Sequence, residues 1–134
     1  MKHQSRETAF KVIYQIDMGK NDLETALEHT MDNDGLSMKE QQFCRELATA
    51  VQDNLAEIDE IIQRNMTGWT VSRLMSVDRS LLRLAVYEMQ YTGLPAAVAI
   101  NEAVELTRKY SGEESCPFVN GVLGSISRKL AAQA

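Results

Sequence analysis

Val77-Asp78-Arg79-Ser80-Leu81-Leu82-Arg83-Leu84-Ala85-Val86-Tyr87-Glu88-Met89 is the stretch on which the fold turns. Wound at 3.6 residues per turn, Val77, Leu81, Leu82, Leu84, Ala85, Val86 and Met89 cover most of the helix circumference. A helix apolar nearly all round is a central one, covered by its neighbours. Four charges interrupt it: Asp78, Arg79, Arg83 and Glu88. An unpaired ion costs several kcal/mol to bury, so each must be paired, hydrogen-bonded or held at the rim of the core. Two readings stand for them. They pair or cap internally, or they are presented to a partner at the edge of the core.

The text on either side of this stretch is helical as well. Ser5 is the expected N-cap of the first helix, which has Ala9, Phe10, Ile13 and Ile16 inward and Gly19 as its stop. Leu23, Ala26, Leu27 and Met31 give a second helix that ends in Asp32-Asn33-Asp34-Gly35. Ser37-Met38-Lys39-Glu40 is a capping box, followed by Phe43, Leu47, Val51 and Leu55 at intervals of four. After a bend near Asp53-Asn54, Ile58, Ile61 and Ile62 continue towards Met66, with Gly68 as the expected cap. Thr70 can open a short turn bearing Val71 and Leu74. Beyond the central helix, Thr92-Gly93 is a stop and Pro95 a start. Ala99, Ala103, Leu106 and Tyr110 then form one inward face. Ser111-Gly112 breaks that helix, and Pro117 opens the last, with Val119, Val122, Leu123, Ile126 and Leu130 inward. No segment alternates with period 2 between hairpin signals. The expectation is an all-α single domain, residues 1–134, of six or seven helices.

Composition narrows the function. The 134 residues are 44% hydrophobic and 25% charged, enough apolar material for a packed core, so disorder is excluded. Net charge is −5, which excludes a generally basic nucleic-acid coat but not a local basic site. The charge is uneven: residues 1–67 hold 7 basic and 13 acidic groups, residues 68–134 hold 7 and 6. The acidic first half reads as a solvated face or as a surface that meets a basic protein. Cys44 and Cys116 stand far apart without a CxxC, and only His3 and His29 accompany them. A disulfide scaffold, a zinc finger and a redox pair are therefore excluded by spacing, leaving two buried thiols. No apolar run is long enough for a membrane span, and no signal-peptide core follows Met1, so a soluble cytoplasmic protein is expected.

Catalytic motifs are absent: no Gly-rich phosphate loop, no HExxH and no GxSxG. No enzyme, metal or cofactor is expected. The best place for phosphate contacts is the opening helix, where Lys2, Arg6 and Lys11 lie close together and Tyr14 follows two turns beyond Arg6. Cations, a helix N-terminus and an aromatic that can stack on a base suit single-stranded RNA.

The stretch Val77 to Glu88 resembles the central helix of the NusB family of transcription antitermination factors. Pro95 followed by Ile100-Asn101-Glu102-Ala103-Val104-Glu105-Leu106 is similar to that family too. So are Phe118-Val119-Asn120-Gly121-Val122-Leu123 and the opening Arg6-Glu7-Thr8-Ala9 with Ile13-Tyr14. The resemblance covers the whole chain in order. It implies two packed helical subdomains and a non-catalytic role: with the ribosomal protein NusE, binding the single-stranded boxA element of nascent ribosomal RNA. Other Nus factors and RNA polymerase are the further partners it implies, and polymerase then reads through terminators.

Carried over residue by residue, it places RNA contacts at Lys2, Arg6, Tyr14, Arg79 and Phe118, within or near the first helix and the segment from Ser111 to Phe118. It places partner contacts at Asp78 and Glu102. Asn101, Glu102 and Asn120 can equally be buried groups that cap or bridge helices. One departure stands out: many NusB sequences open with several arginines, and this one has Lys2, His3 and Arg6. The isolated chain should therefore bind RNA weakly and depend on NusE. The rival readings are a homodimeric or protein-only helical adaptor, and the accessory RNA-binding domain of a ribosomal RNA methyltransferase.

Overall fold

The computed structural model describes residues 2–19 and 21–133, and among them the chain is helical with no strand. Seven α-helices follow in order: α1 Lys2–Asp17, α2 Leu23–Asp34, α3 Met38–Asp53, α4 Leu55–Arg64, α5 Ser76–Tyr87, α6 Ala96–Tyr110 and α7 Cys116–Gln133. They fall into two compact units, Met1–Asp53 and Asn54–Ala134. No described helix is long and apolar enough to cross a membrane.

In the first unit α1 packs on α2 and α3. Its core is Ala9, Phe10, Val12 and Ile13 of α1 with Ala26 and Leu27 of α2 and Cys44, Leu47, Ala48 and Val51 of α3. Helix α1 begins at Lys2 rather than after Ser5, and Ser5 is a buried residue of its second turn. Nothing between Lys2 and Gln4 breaks a helix, so the polar lead-in winds with the rest. Asp22 caps α2 by accepting from the Thr25 amide at 2.8 Å. Gly35 ends it in the left-handed region at φ +63°, where a Cβ would be strained. The capping box forms as its letters require. The Ser37 amide donates to Glu40 Oε1 at 2.8 Å, and the Glu40 amide donates to Ser37 Oγ at 3.2 Å.

In the second unit α5 is the central helix, packed against α4, α6 and α7. Leu81, Leu82, Leu84, Ala85 and Val86 are all buried. The Arg83 charge resolves by ion pairing. Arg83 grips Asp59 of α4 with two bonds of 2.8 Å, Nε to Oδ1 and Nη2 to Oδ2. That parallel fork is the geometry in which a largely buried ion pair offsets its desolvation. Two boundaries differ from the sequence reading. Helix α4 stops at Arg64, before Gly68, because the Asn65 side chain turns back and donates to the Ile61 carbonyl at 2.7 Å. Helix α5 passes into one π-turn, Glu88–Thr92, before Gly93 ends it at φ +73°. Tyr110, expected inward, is exposed near the end of α6.

Candidate RNA and partner interfaces

Each unit carries a cluster of the residues singled out by the sequence. In the first unit, Lys2 and Arg6 lie one turn apart on α1, above the ring of Phe43 on α3. Lys2 Nζ is 5.4 Å and the Arg6 guanidinium 5.5 Å from the ring centroid. The ring's negative face attracts both cations. Their exposures differ: Lys2 is exposed, whereas Arg6 is 7% exposed. Lys2 can leave the ring for a phosphate, while Arg6 is built into the α1–α3 packing. Lys11 is spoken for as well, its ammonium 3.1 Å from both oxygens of Asp34, of which Oδ2 also accepts from Thr8 Oγ1 at 2.6 Å. Tyr14 is half-buried and tilted against Phe10 at 6.2 Å. It stands eight residues beyond Arg6, roughly 12 Å along the helix axis, so it does not share the Phe43 cluster.

In the second unit the segment Trp69–Met75 is pinned from below. Gln63 of α4 donates from Nε2 to the Trp69 carbonyl at 2.8 Å, and its Oε1 accepts from the Val71 amide at 3.0 Å. Arg79 Nη1 reaches three carbonyls, those of Val71, Ser72 and Leu74, at 3.1, 3.3 and 2.8 Å. A guanidinium held by three carbonyls is a brace for the 3₁₀ turn Val71–Arg73. Of the two readings open for Arg79, internal capping is therefore the one the geometry supplies.

The braced segment walls a cavity of about 400 Å³ lined by Trp69, Arg73, Leu74, Met75, Asp78 and Phe118. Trp69, Met75 and Phe118 stay 49%, 64% and 37% exposed, an apolar surface that no described residue covers. Asp78, in the first turn of α5, is 7% exposed and carries the one acidic group of the lining. Burial pushes its carboxyl above the usual carboxylate range, while hydrogen bonds from Ser111 and Ser115 pull it back. Its Oδ1 has no hydrogen-bond partner. That oxygen is itself buried, so its missing partner is a cost the fold carries in the wall of the pocket.

The structure thus brings Asp78 and Phe118 to one pocket, with Arg79 bracing its wall. Glu102 is half-buried on α6 and lies outside that lining. Asn101 and Asn120 are exposed, which overturns the reading of them as buried bridging groups. Sequence reasoning missed Trp69, Met75 and Phe43. The lone tryptophan beside Gly68 was the available signal for Trp69. Phe43 was hidden by its fit to a core stripe.

Comparison with known proteins decides the family. The NusB family model matches residues 3–128. The chain belongs to the NusB family. The transcription antitermination protein NusB of Acetivibrio thermocellus is 42% identical over 123 residues, 91% of this chain and 85% of that protein. The structure of T. maritima NusB superposes with a TM-score of 0.89 at 34% identity, covering 96% of this chain and 92% of that one. A crystal structure of the antitermination factors NusB and NusE in complex with dsRNA matches with a TM-score of 0.88. It is 26% identical and covers 95% of this chain and 96% of that one. The NusB resemblance read from those ordered motifs is the family found by full-length comparison.

Proposed function

We propose that this protein is a non-catalytic transcription antitermination factor of the cytoplasm. In this reading it pairs with NusE, and the pair holds the boxA element of nascent ribosomal RNA while other Nus factors and RNA polymerase assemble on it. The observation that carries the reading is the likeness, over nearly the full length of both chains, to a NusB solved together with NusE and RNA. The pocket supports it: an acidic residue, Asp78, lines a pocket with an exposed apolar rim, which suits a basic protein such as a ribosomal one. Phe118 on that rim and Tyr14 on α1 offer rings for base stacking, worth roughly 1–3 kcal/mol per base. Lys2 is the exposed cation available to a phosphate on α1.

With so few solvated cations near these rings, the isolated chain binds RNA weakly, and NusE supplies most of the phosphate neutralisation. A mobility-shift experiment with labelled single-stranded boxA RNA tests this, using this protein alone, NusE alone and both. A discrete complex only with both supports the proposal. Tight binding by this protein alone, or no complex with both, overturns it.

A further inference from the structure

Two charged neighbours at the start of α5 reach two different segments around the same pocket. Arg79 braces the segment from Trp69 to Met75 through its three carbonyl bonds. Asp78 reaches the connection from Ser111 to Ser115, which leads into α7 and Phe118. Its carboxyl accepts from the hydroxyls of Ser111 and Ser115, which themselves stand 2.9 Å apart. Because Oδ1 has no partner, both serines fall on the other oxygen.

That connection is short and shaped for one path. Ser111 closes α6, its amide donating to the Thr107 carbonyl at 2.8 Å, and the Gly112 amide donates to the same carbonyl at 2.9 Å. Gly112 sits at φ +130° and ψ 163°, a region open in practice only to glycine. A Cβ there would stand 2.7 Å from Glu114 Oε1. The Ser115 amide returns to the Gly112 carbonyl at 3.2 Å, and α7 starts at Cys116. A turn this sharp sets the direction of the first turn of α7, and with it the place of the Phe118 ring on the pocket rim.

Asp78 is a costly anchor for such a turn. It is 7% exposed, with one carboxyl oxygen enclosed and unpartnered and the other taken by the serines. An apolar side chain of similar size would spare the fold that cost. What only an acceptor supplies is a tie to both ends of the connection. On the basis of the function proposed above, we infer that Asp78 is a positioning residue: it acts on RNA and NusE through the Ser111–Phe118 segment, which it ties to the start of α5, and not by touching either.

The test compares Asp78→Ala, the pair Ser111→Ala with Ser115→Ala, and the combination, at a temperature where each is folded by circular dichroism. Amide hydrogen exchange on the isolated chain should quicken about tenfold from Ser111 to Phe118 in every variant, while the buried middle of α5 keeps the parent's rates. In titrations with NusE and boxA RNA, the serine pair should weaken the complex about tenfold although Asp78 and its charge are still present. The combined variant should bind no more weakly than Asp78→Ala, because the same tie is lost in each. Replacing both serines by Thr returns the hydroxyls, and should return the affinity and the slow exchange. Should Asp78→Ala fail to fold, the serine pair and its Thr rescue carry the test. A serine pair that binds like the parent overturns the inference, whether or not its exchange quickens. So do additive losses in the combined variant, or exchange that stays at the parent's rates. If the parent itself forms no complex with NusE and boxA RNA, the functional reading falls, and the exchange rates alone decide whether Asp78 holds the segment.

Discussion

Asp78 shows how one side chain can be set against its own fold. Its folded-state pKa is raised, so the folded protein binds the proton more tightly than the unfolded chain. Stability from this group is complete below the usual carboxylate range and is lost as pH rises through the raised value. Asp78→Asn keeps the shape and removes that loss. It should unfold at a higher temperature than the parent at pH 7, with the gap narrowing towards pH 4 in paired thermal melts. Binding should move the other way, with affinity for NusE reduced at least tenfold, about 1.4 kcal/mol, by titration calorimetry. Arg79 is the contrasting residue. Its guanidinium has three carbonyl acceptors, so Arg79→Ala should cost about 2 kcal/mol by urea unfolding. Both residues were legible as charges that a buried helix cannot leave unpaired. Which one braces and which one keeps an unpartnered oxygen was not legible, because the carbonyls that bind Arg79 belong to a turn whose backbone path has no signature in the letters.

At the scale of elements, the local rules carried furthest where the signal was itself local. The Ser37–Glu40 box and the Gly35 and Gly93 stops depend on neighbours within a few residues, and each formed where the letters put it. Ser37→Ala should accordingly destabilise by about 1 kcal/mol, measured by chemical denaturation. Glu40→Gln retains an acceptor and should cost less. The misses came where a distant partner decides. Helix α4 ends early because Asn65 bonds both backward to Ile61 and across to Ser125, sixty positions away. The start of α1 was misplaced because a cap residue was expected where the chain simply continues to wind. The π-turn Glu88–Thr92 widens α5 by one residue, and no spacing in the sequence announces it.

For the whole molecule, the question is how an acidic chain of net charge −5 can serve a nucleic acid. Reading charges off the sequence overstated the basic character of α1. Arg6 is buried over Phe43 and Lys11 is held by Asp34, which leaves Lys2 as the exposed cation of that set. A single-stranded RNA loses about 0.7 in the slope of log affinity against log salt for each phosphate neutralised. Even three phosphate contacts would give the isolated chain a slope of only about −2. In fluorescence anisotropy titrations across salt concentrations, the complex with NusE should show a distinctly steeper slope than this chain alone. Lys2→Ala should flatten either slope by about 0.7, whereas Lys11→Ala should change stability but not slope. Equal slopes with and without NusE would mean that the acidic chain itself carries the phosphates, and the division of labour argued from Arg6, Lys11 and Asp78 would fall.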